Sequence, residues 1–337
     1  MKNKRRISKN IKLSVGISIS FLLTFIMIPV LFVFAITTND QYDQVNSENI
    51  DYFNIKLATD VQKKEEVFHI TVYRTETSEF ETIEFEQYII GVVAAEMPAL
   101  FEMDALRAQA IAARTYALRI LEHQDYILDT IMHQVYLDEE QLKLRWLDDF
   151  QLHYTTIREA VDSTRGLVLV YDNFLITPMF FAMSSGYTEN SEDVFESFRP
   201  YLRSVRSSGY EQHISFSMNE TFTIEDLKIA FNDPTINSEN VIINNLSQGG
   251  NVALITIGRE SYTGRQVREI LGLRSAAFSV NVEADVITFT TYGHGHGVGM
   301  SQHGANVMAK NGHSYDEILM HFYQNVEIVR KNLLYSE

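Results

Sequence analysis

From Leu13 to Asn39 the chain carries no charged residue, and residues 15–36 are mostly isoleucine, leucine, phenylalanine and valine. A helix of about 20 apolar residues spans the hydrocarbon core of a membrane. Six basic residues precede this stretch, and no acidic residue accompanies them. The positive-inside rule therefore predicts residues 1–12 as a cytoplasmic basic tail and residues 13–38 as a transmembrane anchor, with the rest of the chain outside the cytoplasm.

A cleavable signal peptide is the alternative to an uncleaved anchor. The apolar region of a signal peptide usually runs only about 7–15 residues and ends at a cleavage site of small residues. Val33-Phe34-Ala35 fits such a site poorly, because no small residue lies two positions before the alanine. We therefore expect a single-pass anchor, a polar extracytoplasmic linker over residues 39–66, and a folded domain over residues 67–330.

Composition limits what this domain can do. The chain has 44 acidic residues, 28 basic residues and no cysteine, for a net charge of −16. Beyond residue 38 there are 22 basic and 44 acidic residues, so the net charge there is −22. This acidity argues against a nucleic-acid partner. The lack of cysteine excludes a disulfide scaffold, a cysteine-based zinc site and a thiol nucleophile.

A helix predicted over Glu86–Glu96 ends in an unusually placed glutamate. Apolar residues lie seven, four and three positions before Glu96, so they share its face of the helix, and Pro98 ends the helix. Apolar surroundings and the negative end of the helix dipole both raise the pKa of a carboxyl. A carboxyl that stays protonated near neutral pH can act as a general acid, so Glu96 is a candidate catalytic residue. A solvated carboxylate at a frayed helix end is the alternative.

The following helix, predicted over residues 104–123, is rich in alanine. Small side chains along one stripe let another helix approach closely. Gln109, Arg114 and Tyr116 are the polar members of this helix that could point toward Glu96.

Residues 293–303 form a loop with four glycines and three histidines in eleven residues. Alternating glycine permits positive φ angles and close approach of the backbone. His294, His296 and His303 could bind a metal together, which leaves a metal-dependent hydrolase as an alternative. The HExxH motif of metallopeptidases is absent from the sequence. We predict no required metal and no other cofactor.

Two further groups of residues suit sugar binding. Ser184, Ser185 and Tyr187 follow a predicted hairpin, and hydroxyl groups beside an aromatic ring match the hydroxyls and the apolar face of a sugar. A purely structural turn is the alternative for each serine. Tyr201 and Arg203 are two apart on a predicted strand and would share one face, where they could cover a sugar and meet its lactyl carboxylate. A plain surface position is the alternative for this pair.

The remaining pattern predicts an α+β fold in which helices pack on mixed or antiparallel strands. Residues 210–245 are polar and poorly patterned, and we interpret them as an insertion. Regular elements are predicted around them and after them: a hairpin within residues 68–85, a helix over 151–164, strands over 167–171, 252–257 and 286–291, and helices over 264–271, 302–310 and 315–323.

Four motifs, in order, resemble those of the stage II sporulation protein D family. They are GVVAAEMP at residues 91–98, ALRAQAIAARTY at 105–116, SSGYTE at 184–189 and GHGVGMSQ at 295–302. The resemblance covers roughly residues 65–330. By this resemblance the catalytic glutamate of the family falls on Glu96, and its conserved arginine falls on Arg114.

The resemblance implies a membrane-anchored lytic transglycosylase that cleaves peptidoglycan glycan strands, with a preference for strands stripped of their peptides. It implies action in septal wall remodelling and forespore engulfment, with sporulation proteins M and P as partners, of which P supplies the amidase activity. Some relatives bind zinc through a histidine and two cysteines, a site that cannot form here. With the residue patterns above, the predicted substrate-binding set is Arg114, Gln109, Ser184, Ser185, Tyr187, Tyr201, Arg203, His294, His296 and Gln302.

The number of carboxylates separates the possible mechanisms. A glycoside hydrolase needs a second carboxylate as base or nucleophile, whereas in a lytic transglycosylase the sugar's own 6-hydroxyl attacks and leaves a 1,6-anhydromuramic end. Glu96 is the one glutamate with a catalytic-looking setting, while Glu189, Glu192 and Asp193 stay open as second carboxylates. A non-catalytic activator or scaffold of a cell-wall amidase remains a different class of function, and it would tolerate glutamine in place of Glu96.

Overall fold

The computed structural model describes residues 67–195 and 197–331. The predicted basic tail, anchor and linker, residues 1–66, lie outside the described residues. Across the ranges that are described, no helix is both long enough and apolar enough to cross a membrane. The predicted α+β class is confirmed, because helices and small sheets alternate along the domain.

The elements have the following bounds. The helices are α1 (Phe85–Glu96), α2 (Met103–Leu121), α3 (Glu139–Trp146), α4 (Phe150–Ser163), α5 (Ser191–Phe195), α6 (Ile224–Ala230), α7 (Gly264–Leu271), α8 (Gln302–Lys310) and α9 (Tyr315–Phe322). The strands are β1 (His69–Arg74), β2 (Glu79–Glu84), β3 (Ile127–Leu128), β4 (Leu167–Tyr171), β5 (Phe174–Leu175), β6 (Phe180–Phe181), β7 (Gly186–Tyr187), β8 (Arg206–Ser207), β9 (Ser217–Thr223), β10 (Val241–Leu246), β11 (Val252–Ile257), β12 (Glu260–Tyr262), β13 (Phe278–Glu283), β14 (Val286–Tyr292), β15 (Met300–Ser301) and β16 (Glu327–Arg330).

The larger hydrophobic core surrounds α2. Alanine fills most positions of this helix that face its neighbours, so α1, α4 and α8 pack closely against it. The β1–β2 hairpin, extended by the parallel strand β3, leads directly into α1. A second small sheet, in the order β16-β4-β5, closes the core from the C-terminal end of the chain. The predicted hairpin and the helices framing Glu96 are thus confirmed.

A second, smaller core lies between residues 217 and 292. Two three-stranded sheets, β13-β14-β9 and β10-β11-β12, pack with α6 and α7 around apolar residues such as Ile255 and Phe289. The stretch over residues 210–245, predicted as an insertion, contributes β9, α6 and β10 to this core. Both strands are largely exposed, and β9 is rich in polar residues, which is why the pattern of this stretch is weak in the sequence.

Segment 133–137 runs back along α1 and is held against it by its main chain. The N–H of Leu137 lies 3.5 Å from the carbonyl oxygen of Gly91, and the ring of Tyr136 stacks on Tyr88 with centroids 5.2 Å apart. A Cβ at position 91 would overlap the Leu137 carbonyl and the Tyr136 ring. Glycine at this one position of α1 therefore allows the segment to lie close to the helix.

The glycine-histidine loop connects the two cores. It leaves β14, and it leads through β15, which pairs in parallel with β6, into α8. Gly293, Gly295, Gly297 and Gly299 all have φ angles between +72° and +115°. A Cβ on Gly299 would also overlap the carbonyl oxygen of Met179. The alternating glycines are thus required by the path of the loop, as the sequence pattern indicates.

Candidate active site

Glu96 is the last residue of α1. The helix stops there because Met97 adopts an extended backbone ahead of Pro98. The Glu96 side chain is partly buried, and its Oε1 accepts a hydrogen bond of 3.3 Å from the backbone N–H of Val135. Since Val135 belongs to the segment that runs along α1, the main chain of that segment supplies this donor.

The surroundings of Glu96 favour its protonated form. Burial raises the pKa of this carboxyl above its usual value. The Val135 N–H, the side-chain amide of Gln302 and the positive charge of Arg145 each act in the opposite direction and lower the pKa, but burial outweighs them. Burial thus favours the protonated carboxyl, while the three donors and charges stabilise the carboxylate once the proton has left. A group that acts first as a general acid and then as a base requires both effects.

Gln302 reaches Glu96 from the end of the glycine-histidine loop. It is the first residue of α8, whose N-terminus is capped by the Ser301 hydroxyl through the N–H of Gly304. The Nε2 of Gln302 lies 3.5 Å from the Oε1 of Gln109 on α2. Gln109 Nε2 is buried and has no hydrogen-bond partner among the described residues. The structure thus brings Glu96, Gln109 and Gln302 together at one place.

Arg114, a predicted substrate-binding residue, does not belong to this group. The side chain is 0% exposed, and its guanidinium forms an ion pair of 2.7 Å with Glu86 at the opposite end of α1. It also donates to the carbonyl oxygens of Val161 and Leu167. Ten residues of helix separate Glu86 from Glu96, which is about 15 Å along the axis. Arg114 therefore ties α1, α2 and α4 together inside the core.

Ser184, Ser185 and Tyr187 lie around a small cavity next to the glycine-histidine loop, which Gly295 and Gly297 also line. Tyr187 is 52% exposed and Ser185 is partly exposed. Their hydroxyl groups therefore remain accessible to a sugar.

Ser184 differs from its two neighbours in this group. Its side chain is buried, it donates to the Ser207 carbonyl oxygen at 2.8 Å, and it lies 2.5 Å from the Tyr210 hydroxyl. Its hydroxyl is thus occupied within the protein, which matches the structural alternative for this serine.

His296 fastens the glycine-histidine loop. Its Nδ1 accepts a hydrogen bond from the N–H of Val298, so the proton is on Nε2, which donates to the carbonyl oxygen of Phe180 at 3.1 Å. Burial, together with the positive charges of Arg268 and Arg265, lowers the pKa of His296 to about 4. Both ring nitrogens are therefore engaged within the protein, where they hold the loop to Phe180.

The three histidines of the loop do not converge. His294 is exposed, and its Nδ1 lies 3.3 Å from the guanidinium of Arg274. The ring of His303 instead packs against Phe101 and His213. In the described part of the chain, no three histidine, aspartate or glutamate side chains form a group that could hold a metal ion.

Tyr201 and Arg203 lie in an irregular segment and not on the predicted strand, so they do not share an exposed face. Tyr201 is 7% exposed, and its hydroxyl accepts a hydrogen bond from the N–H of Thr177. Arg203 forms an ion pair with Glu192 and stacks on Phe198. The predicted strand is therefore wrong at these residues, and the structure does not bring the two side chains together on one face.

The three carboxylates considered as second catalytic groups are held elsewhere. Arg203 lowers the pKa of Glu192 to about 2, and Asp193 accepts a hydrogen bond from Asn190. Glu189 is buried, and its Oε1 accepts hydrogen bonds from the Ser247 hydroxyl and the Asn251 N–H. Burial raises the pKa of Glu189, but its contacts join the β10–β11 turn to the glycine-histidine loop and do not include Glu96.

The sequence patterns did not predict two groups at the site, namely the Val135 N–H and the side chain of Arg145. Arg145 lies on α3, and its Nη1 donates to the carbonyl oxygen of Ala95 at 3.2 Å. The signal that points to such a residue is indirect. The last turn of α1 has no basic residue of its own, although the negative end of a helix favours a positive charge nearby.

Comparison with known proteins agrees with the motifs. The family model described as stage II sporulation protein matches residues 73–171. The stage II sporulation protein D of Bacillus subtilis (strain 168) is 41% identical over 268 residues, which cover 77% of this chain and 78% of that protein. The protein of the same name from Bacillus amyloliquefaciens is 40% identical, over 79% of this chain and 80% of that protein. The amidase enhancer of Bacillus subtilis (strain 168) is 28% identical, over 69% of this chain and 39% of that protein.

Proposed function

The chain belongs to the stage II sporulation protein D family, and on that premise we propose that it cleaves peptidoglycan glycan strands as a lytic transglycosylase. The observation that carries this proposal is the setting of Glu96. Its carboxyl is partly buried, its pKa is raised by burial, and donors surround it that stabilise its anion. The other carboxylates considered for catalysis are engaged away from it, which favours a mechanism that uses a single carboxyl.

In this mechanism Glu96 first donates its proton to the oxygen of the glycosidic bond between N-acetylmuramic acid and N-acetylglucosamine. The bond breaks, and positive charge develops on the muramic ring in an oxocarbenium-like transition state. The Glu96 carboxylate then removes the proton of the ring's own 6-hydroxyl, whose oxygen bonds to C1 and forms the 1,6-anhydro end. The Val135 N–H, the Gln302 amide and the positive charge of Arg145 stabilise the carboxylate between the two proton transfers.

We further propose that Ser185 and Tyr187 contact the glycan at the cavity beside the glycine-histidine loop. Their exposed groups and the glycine backbone around them support this assignment. The domain would act outside the cytoplasm, tethered by the predicted anchor, in septal wall remodelling and engulfment. Sporulation proteins M and P are the proposed partners, since an amidase such as P would produce the peptide-stripped strands.

The test uses the full chain in detergent, incubated on peptide-stripped glycan strands with and without EDTA and analysed by mass spectrometry. We expect anhydro products, lighter by one water than hydrolysis products, in both conditions. Glu96→Gln should lower the rate by about 10²- to 10⁴-fold. The matched control is Glu140→Gln, because Glu140 is exposed and, within the described ranges, forms its one ion pair with Lys143. This variant should cleave like the wild type. Ordinary reducing ends would contradict the proposal.

Activation of a cell-wall amidase is the second candidate function, and the relative named amidase enhancer favours it. It predicts that the chain alone cleaves nothing but increases the rate of an added amidase, and that Glu96→Gln does so equally well. Cleavage that stops in EDTA and depends on His294 would instead indicate a metal-dependent hydrolase.

A further inference from the structure

Arg145 is an exposed cation next to the proposed catalytic residue. Its guanidinium uses Nη1 to donate to the carbonyl oxygen of Ala95, the residue immediately before Glu96. Among the described residues no carboxylate lies within ion-pairing distance of Arg145. A guanidinium carries five N–H donors in a planar fork, so most of its donors remain free for a ligand.

The two arginines of the predicted substrate-binding set are engaged within the protein. Arg114 is buried against Glu86, and Arg203 is paired with Glu192. Arg145 differs from both, because its charge acts on Glu96 while its side chain stays exposed. It is therefore the cation in position to meet an anion bound at the site.

The substrate offers one anionic group close to the bond that breaks. In intact peptidoglycan the lactyl group of muramic acid is joined to the stem peptide through a neutral amide. Removal of the peptide leaves a carboxylate on the same sugar ring whose C1 reacts. Guanidinium binds carboxylates through two parallel hydrogen bonds, and an amide cannot accept such a pair with the same strength.

We propose that Arg145 binds this lactyl carboxylate and thereby makes the enzyme selective for peptide-stripped strands. The proposal rests on the proposed function and assigns the specificity of the same site. The net charge of the chain supports this proposal. Beyond residue 38 that charge is −22, which repels an anionic glycan strand, so binding of the strand calls for a local positive charge such as that of Arg145.

Binding of the carboxylate also has an effect on catalysis. The positive charge of Arg145 lowers the pKa of Glu96, and a carboxylate bound to Arg145 offsets that charge. The pKa of Glu96 then rises when the correct substrate is bound. The substrate thus helps keep the general acid protonated at the moment it is needed.

The test compares kcat/KM of the full chain in detergent on two substrates. One is peptide-stripped strands, and the other is the same strands with their carboxylates converted to methylamides. We expect the wild type to prefer the free carboxylate by about tenfold or more, as charge-assisted hydrogen bonds suggest. Arg145→Gln should bring this ratio close to one. Because Arg145 also acts on the Glu96 carboxylate, the measured quantity is the ratio of the two kcat/KM values and not the absolute activity on either substrate. The matched control Arg119→Gln, on a partly exposed arginine paired with Glu122, should keep the wild-type ratio.

A wild-type ratio in Arg145→Gln would overturn the inference, and equal loss of both activities, as expected for a helix cap alone, is such a result. No preference of the wild type for the free carboxylate would overturn it as well. If the wild type cleaves neither substrate, the proposed function fails. The inference is then tested separately by the equilibrium binding of the two kinds of strand. Glu96→Gln should then bind free-carboxylate strands about tenfold more tightly than methylamide strands, and Glu96→Gln with Arg145→Gln should bind both equally. Equal binding of both by Glu96→Gln alone would overturn the inference.

Discussion

The two ends of α1 each hold a glutamate, and the surroundings of the two side chains differ. Glu86 at the start of the helix is 6% exposed, and the guanidinium of Arg114 donates to both of its carboxylate oxygens. Glu96 at the end has one long hydrogen bond from a main-chain N–H, an amide from Gln302 and the more distant charge of Arg145. Burial alone therefore does not mark a catalytic carboxyl. What distinguishes Glu96 is that its negative charge is only partly compensated.

The largest expected effect on stability lies at the Glu86 end. Arg114→Met leaves the Glu86 carboxylate buried without its partner, so the free energy of unfolding should fall by about 3–5 kcal/mol. Adding Glu86→Gln removes the uncompensated charge and should recover part of that loss. Chemical denaturation of the single and double variants measures both values. A single variant within about 1 kcal/mol of the wild type would show that the pair compensates less charge than its geometry indicates.

A smaller effect is expected at the Glu96 end from Gln302→Met. The amide lowers the pKa of Glu96, so its loss raises that pKa and keeps the general acid protonated to a higher pH. The alkaline fall in kcat/KM should therefore move to higher pH, while activity on the acidic side changes by less than about tenfold. A pH–rate profile with peptide-stripped strands measures the position of the fall. A shift to lower pH would contradict the assignment of Glu96 as the acid.

The smallest effect is a gain in stability from Glu96→Gln. Folding raises the pKa of Glu96, so between its unfolded value and its folded value the native state binds more protons than the unfolded state. Stability from this group is therefore present at low pH and is lost as pH rises through the folded pKa. Glu96→Gln should unfold at a higher temperature than the wild type at pH 7 and at a similar temperature at pH 4. Equal melting temperatures of the variant and the wild type at both pH values would mean that the negative charge of Glu96 is compensated as fully as that of Glu86.

Local structure near the site follows closely from the sequence. The stop of α1 at Glu96 follows from Pro98, and the start and end of α7 follow from Thr263 and Gly272, which form a capping box and a left-handed C-cap. These features depend on residues a few positions apart, so a pattern in the sequence captures them. The raised pKa of Glu96 follows in the same way, because the apolar face around it is set by helical spacing.

The contacts that determine the roles of the two arginines, Arg114 and Arg145, join distant parts of the chain. Arg114 meets a glutamate 28 positions earlier, and Arg145 meets a carbonyl 50 positions earlier. Spacing along a helix predicts a face but not which end of a neighbouring helix that face meets. For the same reason helical spacing alone directs Arg114 toward Glu96. The pattern over residues 210–245, a stretch that contributes to the second core, likewise predicts an insertion, because its strand β9 is largely polar and exposed.

The position of segment 133–137 along α1 has a consequence for how the protein tolerates mutation. The donor that Val135 offers to Glu96 belongs to the main chain, so among substitutions at position 135 only proline removes it. A substitution at Gly91 also threatens the contact, because an added Cβ would overlap the segment and push it away from the helix. The side chain at position 135 can therefore change while its contact with the Glu96 carboxyl persists, provided that position 91 stays glycine.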